Sequence, residues 1–409
     1  MRPTLCLLNL GFLVCCARSS SNAAAVTPPS SGQAHPACLE ASAWVQPTPN
    51  EAPHRRYRNK GFDRFTSVEA ASGNAVHLYA QDQVSDLKLL RARNLLEFFL
   101  SDVPGTTWGA DKADVLQAMA DNEAALILPN GEHTPSNEYD LPAQPLYDAE
   151  TPLAGSTWFM ENDWDHRDAA FEEIFHLVHD SGIGTYLPGV RPEYQADLDA
   201  EARAAIDDGR WGIPVDPGVA EWLQELERED SLAQEYIASV IDTYYGLWGP
   251  WDEDDGGMWG IYIAKTRDEL PSLDPAGQAL VEQFLPQLLT HEVRLDPALD
   301  EDFHLEFDPN RPYTHKSQYM TWVSASGSNN INLYGNAADN TLRGNSGDNE
   351  LHGGDGTDTV VLCGPMAQFI VDQDAQASSS SMVIVTGPEG TDALFDVERL
   401  VFTDGVIEL

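Results

Sequence analysis

Apolar residues recur at helical spacing through much of the chain between about residues 60 and 320. The longest such stretch, Val84–Leu100, repeats leucine, alanine and phenylalanine every three or four residues, which is the spacing of one helix face. The same spacing predicts further helices over Ala113–Asp121, Ala169–Asp180, Val219–Glu227, Leu232–Tyr245 and Ala276–Leu285. A continuous apolar run, Ala124–Leu128, is followed by Pro129-Asn130-Gly131 and predicts a buried strand and a turn. The central part of the chain is therefore predicted to be mostly helical.

Near residue 326 the pattern changes to a repeat of nine residues. Its units align without a gap over Tyr334–Leu342, Arg343–Leu351 and His352–Val360. An apolar residue ends every unit, and a glycine, which adopts turn conformations that other residues resist, stands second in every unit. Each unit is therefore predicted to be a turn and a very short strand, whose apolar side chain only stacked neighbours can bury.

The turns of this repeat are rich in potential calcium ligands. Calcium is a hard cation, which backbone carbonyls and aspartate carboxylates of stacked turns can bind. The unit Gly353–Val360 (GGDGTDTV) resembles the RTX, or haemolysin-type, nonapeptide repeat family, whose unit is G-G-x-G-x-D-x-apolar-x. The other two units depart from that pattern at the second glycine, where they have Asn336 and Asn345, and at the aspartate, where they have Asn340 and Asn349.

The resemblance implies a short parallel β-roll over residues 326–362, bound to calcium and located outside the cytoplasm. Because asparagine brings no charge and successive turns alternate sides, we expect about one good calcium site, between turns 335–340 and 353–358. Its expected ligands are Gly335, Asn340, Gly353, Asp355, Gly356 and Asp358. The segment Gly390–Gly405 resembles the tail that commonly follows such repeats, and residues 363–409 are predicted to form a small β module.

A second candidate site lies on the helix predicted at Ala169–Asp180. The run Glu172-Glu173-Ile174-Phe175-His176 has the spacing of the metalloprotease motif H-E-x-x-H, in which the first and fifth residues bind zinc and the glutamate activates water. In that register Glu172 replaces the first histidine, Glu173 is the general base and His176 is the second ligand. Zinc accepts carboxylate oxygen, but the replacement lowers the expected affinity and lets harder metals compete.

A third ligand must come from elsewhere in the chain, and Glu235 on the later helix is the candidate. The motif, the following Leu177–Gly184 and the helix Glu235–Tyr245 together resemble the catalytic core of lethal-factor-type zinc proteases, in which E-[FY]-[FI]-A supplies the third ligand. The resemblance implies a zincin-like domain over residues 53–325. It also implies an extended peptide substrate lying along an edge strand, for which Ala124–Leu128 is the candidate.

Two points about this site stay open in the sequence. A different ligand set, Glu172, His176 and His179, has i, i+4, i+7 spacing on one helix face and needs no second helix. A tyrosine could stabilise the oxyanion of the reaction, and either Tyr244 or Tyr245 fits that role.

The strong negative charge of the chain disfavours some classes of binding partner. The chain has 66 acidic and 23 basic side chains and a formal net charge of −43. Such a surface repels nucleic acid and anionic lipid, so neither is an expected partner. An acidic chain also repels itself until cations neutralise it, which suits calcium-dependent folding.

The N-terminus is typical of an exported protein. A basic start, the short apolar run Leu5–Val14 and the small residues at Ala23–Ala25 predict a signal peptide over residues 1–25. Cys16 fits a lipid-anchoring motif poorly, so we expect simple cleavage, and no later segment is apolar enough to span a membrane. A Pro/Ser/Ala-rich linker is predicted over residues 26–52, and the mature chain would keep Cys38 and Cys363, which could form one long-range disulfide.

The sequence thus predicts an α+β protein of the extracellular space or cell surface, with a helix-rich zincin-like domain, a calcium-binding β-roll and a C-terminal β module. Two functions stay open. One is a zinc-dependent endopeptidase that acts on an extracellular protein or peptide. The other is a non-catalytic extracellular or surface-binding protein with a decayed protease fold, in which calcium serves only folding.

Overall fold

The structure is a computed structural model that describes residues 35–162, 168–185, 187–214, 216–252, 256–373 and 382–409. The predicted signal peptide, Cys16 and the first part of the linker lie outside the described residues. The chain is 34% helical and 18% strand, which confirms the α+β class. Among the described residues, no helix combines the length and apolar character needed to cross a lipid bilayer.

All α-helices of the described residues lie before residue 320. In chain order, α1 to α11 are Arg55–Arg58, Asp86–Phe99, Ala113–Asp121, Thr157–Glu161, Ala170–Val178, Pro192–Asp207, Pro217–Glu229, Leu232–Tyr244, Leu270–Leu273, Pro275–Glu282 and Thr314–Ser317. A π-helical turn, His179–Gly184, continues α5 directly. Short 3-10 helices cover Pro36–Cys38, Ala41–Ala43, Asp148–Glu150, Met258–Gly260, Arg267–Glu269 and Met366–Gln368.

The six helices predicted from apolar spacing are present; α3 has the predicted bounds, and the ends of the other five differ from the predicted bounds by at most three residues. Helix α2 begins where the Ser85 side chain accepts a hydrogen bond from the Lys88 backbone N–H, as expected of an N-cap. The sequence pattern missed α6, whose buried face is narrow and consists of Tyr194, Leu198 and two alanines, Ala202 and Ala205. Such a face gives a weak apolar signal.

A five-stranded sheet in the order β1-β2-β3-β4-β5 precedes and flanks α5. Its strands are Gln46–Pro47, Arg64–Glu69, Ala75–Ala80, Ala125–Leu128 and Gln144–Pro145. Strands β1 to β3 pair antiparallel, whereas β3, β4 and β5 pair in parallel. The prediction that Ala124–Leu128 is an edge strand is therefore wrong, because β4 lies between β3 and β5. On this side of the sheet the edge strand is Gln144–Pro145.

Two further sheets have the strand orders β17-β16-β12-β10-β8-β6 and β13-β14-β15-β11-β9-β7. Strands β6 to β17 are Val293–Arg294, Phe303–His304, Trp322–Ser324, Leu333–Tyr334, Thr341–Arg343, Glu350–His352, Thr359–Val361, Ile370–Asp372, Met382–Gly387, Gly390–Phe395, Arg399–Val401 and Val406–Glu408. From β6 to β12 the chain alternates between the two sheets, and neighbouring strands of each sheet pair in parallel. This alternation begins at Val293, upstream of the change in composition near residue 326.

The space between these two sheets is filled by the apolar residues of the nine-residue repeat. Leu333, Leu342, Leu351 and Val360 are each at most 1% exposed. Register explains the period: Leu333 lies opposite Leu351 in one sheet, and Leu342 lies opposite Val360 in the other. Two units therefore complete one coil, and each coil buries one apolar residue from each sheet.

The N-terminal segment is fastened to these sheets. Cys38 and Cys363 form a disulfide that closes a loop across a sequence separation of 325 residues. The guanidinium of Arg343 donates to the Ala37 carbonyl at 2.9 Å, and that of Arg294 donates to the Leu39 carbonyl at 2.6 Å. Covalent and polar contacts thus join the start of the described chain to its C-terminal part.

Candidate functional site

Helix α5 carries the candidate metal ligands on one side and an apolar face on the other. Ile174, Phe175 and Val178 are fully buried, and the Phe175 ring lies 5.5 Å from the Phe99 ring of α2. The Gln234 side chain of α8 donates to the His176 carbonyl at 3.4 Å, which fixes the second helix beside the first. Helix α8 therefore lies beside α5, with its Glu235 close to His176.

The cluster itself consists of Glu172, Glu173 and His176, each of which offers one ligand atom within 4.8 Å of the others. From α8, the Oε1 atom of Glu235 lies 3.8 Å from Nε2 of His176. That nitrogen is buried and has no hydrogen-bond partner among the described residues. One imidazole nitrogen surrounded by carboxylate oxygens is a donor set that suits a divalent cation.

Glu173 is oriented by a residue that sequence reasoning missed. The Gln144 side chain on β5 donates to Oε2 of Glu173 at 2.6 Å, and Nδ1 of His176 lies 3.5 Å from the same oxygen. The side chain of Glu173 remains 18% exposed, so solvent or a ligand can reach it. Gln144 stands in a segment without apolar periodicity, and nothing in its local sequence pointed to this contact.

The carboxylates control the protonation of His176. Burial lowers the pKa of the imidazole, but Glu235, Glu173 and Glu172 together outweigh burial and raise that pKa to about 10. The ring is therefore protonated at neutral pH when no metal ion is bound. A divalent cation would have to displace this proton.

His179 does not join the cluster. Its side chain is fully buried, and Nε2 pairs with Oε1 of Gln195 on α6. Burial lowers the pKa of His179 to about 4, so the ring is neutral at pH 7. Within the described part of the chain, the group of mutually close ligand atoms contains neither His179 nor Glu235, and Glu235 approaches Nε2 of His176 at 3.8 Å.

Both candidate oxyanion tyrosines are directed to other groups. The Tyr244 hydroxyl donates to Oε1 of Glu282 at 3.2 Å, and the Tyr245 hydroxyl donates to the Pro286 carbonyl. Each ring is at most 1% exposed. This geometry does not support an oxyanion role for either residue.

The predicted calcium ligands lie on stacked turns. Turns 335–340 and 353–358 occupy the same edge of the two sheets, where the Thr357 N–H donates to Asp339 at 2.9 Å and the Asn340 N–H donates to Asp358 at 2.7 Å. The carboxylate of Asp358 is fully buried, and its Oδ2 has no hydrogen-bond partner in the described chain.

The remaining predicted ligands flank Asp358. Gly335 and Gly353 approach so closely that a Cβ on Gly335 would lie 1.9 Å from the Gly353 carbonyl oxygen. Asn340 is buried, whereas Asp355 and Gly356 are exposed. The turn Gly353–Asp358 thus combines a buried carboxylate, nearby carbonyl oxygen and access from solvent.

Residues 332–362 match the family model of the RTX calcium-binding nonapeptide repeat, with four copies. This segment is an RTX calcium-binding repeat. The match confirms the repeat prediction, and it supports calcium as a cofactor. Comparison with curated proteins and with solved structures finds no match, so the resemblance of the helix-rich domain to lethal-factor-type zinc proteases stays a prediction.

The RTX repeat has an acidic neighbour beyond its own bounds. The Asp358 N–H donates to Oε2 of Glu398 at 2.7 Å, in the segment between β15 and β16. Burial, followed by the charges of Glu398, Asp339 and Asp396, raises the pKa of Asp358 to about 7. The sequence did not single out Glu398, whose position beneath the turn follows from the stacking of β16 on β12.

Proposed function

We propose that this chain is an exported, calcium-binding RTX-repeat protein whose helix-rich domain is a zincin-like metallopeptidase. The observation that carries the enzymatic part is the approach of Glu235 to Nε2 of His176 at 3.8 Å. Glu235 was predicted as the third ligand from a helix far along the chain, and chance proximity of an acidic side chain to that nitrogen is the competing explanation. The proposal also includes a parallel β-roll from Val293 onward and an extracellular location for the protein.

In this proposal Glu172, His176 and Glu235 hold the metal ion. Bound zinc supplies Lewis-acid polarisation of the peptide carbonyl and lowers the pKa of its water. Glu173 would accept a proton at Oε2, the oxygen that Gln144 and His176 orient. His176 would offer Nε2 to the ion, because its Nδ1 faces Glu173 at 3.5 Å.

The substrate class follows from the strand beside the base. Strand β5 is an edge strand, and an extended peptide can add to such an edge through backbone hydrogen bonds. The Gln144 side chain on β5 contacts Glu173 directly, so a peptide paired with this edge would pass close to the general base. Pro145 has no backbone N–H, which limits the pairing to the Gln144 end of the strand.

The second candidate is a non-catalytic protein that kept the fold, and the identity of Glu172 favours it. A site of two carboxylates and one imidazole binds zinc more weakly than the histidine-containing motif. Calcium would then serve folding alone, and the helix-rich domain would act as a binding surface.

Peptide hydrolysis in the presence and absence of a chelator separates the two candidates. The peptidase proposal predicts cleavage of casein or of a peptide library by the zinc-loaded chain, and faster cleavage or tighter zinc binding in Glu172→His. The proposal is wrong if neither the native chain nor Glu172→His takes up zinc while both remain folded by circular dichroism.

A further inference from the structure

The first two turns of the RTX repeat each contain a pair of asparagines four residues apart. In turn 335–340 the Asn340 side-chain amide donates to Oδ1 of Asn336 at 3.0 Å, and the Asn336 backbone N–H donates to Oδ1 of Asn340 at 2.8 Å. In turn 344–349 the equivalent bonds join Asn349 and Asn345 at 3.2 and 3.0 Å. Both turns are thus closed by the same pair of reciprocal hydrogen bonds.

The same amides reach the turn that precedes them in each stack. The Nδ2 of Asn336 donates to the carbonyls of Gln318 and Met320, each at 3.0 Å. The Nδ2 of Asn345 donates to the carbonyls of Ser326 and Asn329, each at 3.0 Å. These four carbonyl oxygens beside the first two turns therefore already accept hydrogen bonds.

A neutral amide and a calcium ion compete for such oxygens. Calcium requires six to eight oxygen ligands, and it is repelled by N–H groups that point at the same oxygens. An amide hydrogen needs no cation, no charge compensation and no dehydration of an ion. A turn whose carbonyls are bound by asparagine amides is therefore complete without metal.

The third turn, Gly353–Asp358, lacks both amides. Gly354 stands where the other turns have Asn336 and Asn345, and Asp358 stands where they have Asn340 and Asn349. Gly354 has no side-chain oxygen to accept from residue 358 and no amide to donate to the preceding carbonyls, and Oδ2 of Asp358 is buried without a hydrogen-bond partner among the described residues. Oδ2 of Asp358 therefore stands in the third turn where the first two turns have the side-chain amides of Asn340 and Asn349.

The backbone differs in the same way. Gly354 and Gly356 have φ of +101° and +131°, which side chains rarely adopt. Asn336 and Asn345 are not among the described residues with positive φ. The glycine turn and the asparagine turns are thus two distinct ways of closing a coil.

We infer that asparagine amides replace calcium in turns 335–340 and 344–349, so that calcium binding is confined to the turn Gly353–Asp358 and its neighbour Glu398. This inference deepens the proposed calcium binding by naming the residues that decide which turns take an ion. It also means that the coils nearest the helix-rich domain fold without calcium. Only the C-terminal end of the stack depends on the ion.

Turn 344–349 offers the sharpest test, because Gly344 and Gly347 already match the RTX pattern. The double substitution Asn345→Gly/Asn349→Asp completes that pattern and removes both amides. We expect native mass spectrometry of the full mature chain, titrated with Ca²⁺, to count one more bound ion in this variant than in the wild type. We expect Asp358→Asn to bind one ion fewer than the wild type.

Two results would overturn the inference. One is an equal number of bound calcium ions, several in each case, in the wild type and in Asp358→Asn. The other is a double variant that is folded, by circular dichroism, and gains no ion. On the other edge, Asn336→Gly/Ala338→Gly/Asn340→Asp repeats this test, because Ala338 stands where the pattern has a glycine. A wild-type chain that binds no calcium would defeat the proposed calcium function alone, because the gain in these variants would still decide the role of the amides.

Discussion

The Nε2 atom of His176 on α5 lies 3.8 Å from the Oε1 atom of Glu235 on α8. This distance joins two helices that are separated in sequence by α6 and α7. It places a buried imidazole among carboxylates, which is stable only when a proton or a cation balances their charge. The behaviour of the helix-rich domain toward metal and pH follows from this competition.

Zinc binding should depend steeply on pH. The pKa of His176 is raised to about 10 by its carboxylates, against the lowering effect of burial, so a metal ion must displace a proton at neutral pH. We expect the zinc affinity to increase about tenfold for each unit of pH between 6 and 8, as release of one proton requires. Titration against a competing chelator at several pH values measures this slope, and a flat profile would contradict the assignment of His176 as a ligand.

Glu235 should be needed for metal binding but not for folding. Glu235→Gln removes a charged oxygen beside His176, and we expect the zinc affinity to decrease by about tenfold or more. The matched control is Glu225→Gln on the exposed face of α7, which should leave the affinity unchanged. Equal affinities in the two variants would exclude Glu235 from the site.

Calcium should suppress the effect of pH on stability. Burial raises the pKa of Asp358 to about 7, so the calcium-free fold retains a proton that the unfolded chain has lost. This contribution is fully present below pH 3.8, the ordinary pKa, and is lost as the pH rises through 7. Its upper value is about 4 kcal/mol.

We therefore expect the Tm without calcium to decrease between pH 5 and 8, and saturating calcium to remove most of that decrease. Thermal unfolding followed by circular dichroism measures both curves. In Asp358→Asn the two curves should differ much less, since the carboxylate that calcium would neutralise is gone. A calcium effect that is as large in this variant as in the wild type would contradict the account.

The disulfide should contribute strongly to stability. Cys38–Cys363 closes a loop across 325 residues, and cross-linking a long loop restricts the unfolded chain. We expect Cys38→Ser/Cys363→Ser to lower the free energy of unfolding by about 2–5 kcal/mol. Urea unfolding in the presence of calcium measures this change, and reduction of the wild type provides a second route to the same comparison. A loss below about 0.5 kcal/mol would show that the disulfide closes a loop that is already ordered.

Period and glycine content were enough to predict the repeat that ends at Val360. Leu342 and Val360 recur at an interval that only stacked coils can bury, and the family match confirms the repeat. The coils that begin at Val293 escaped prediction because their turns lack the glycine pattern. The role of the asparagines escaped for a different reason: a sequence shows that Asn336 lacks charge, but only the stack shows which carbonyls its amide reaches.

The helix-rich site was predictable only in part. The spacing within Glu172–His176 suggested a shared helix face, since residues four apart are neighbours on a helix. Gln144 could not be found this way, because its contact with Glu173 depends on how β5 packs beside α5. His179 satisfied the spacing rule equally well, yet it continues into the π-helical turn and pairs with Gln195 instead.

Hydrolysis of a peptide library by Glu173→Gln, with the zinc content measured on the same sample, tests the enzymatic claim most directly. The account predicts that zinc stays bound while the rate decreases by at least about a hundredfold, because the metal ligands remain and the general base is lost. A variant that keeps both its zinc and the wild-type rate would contradict the account.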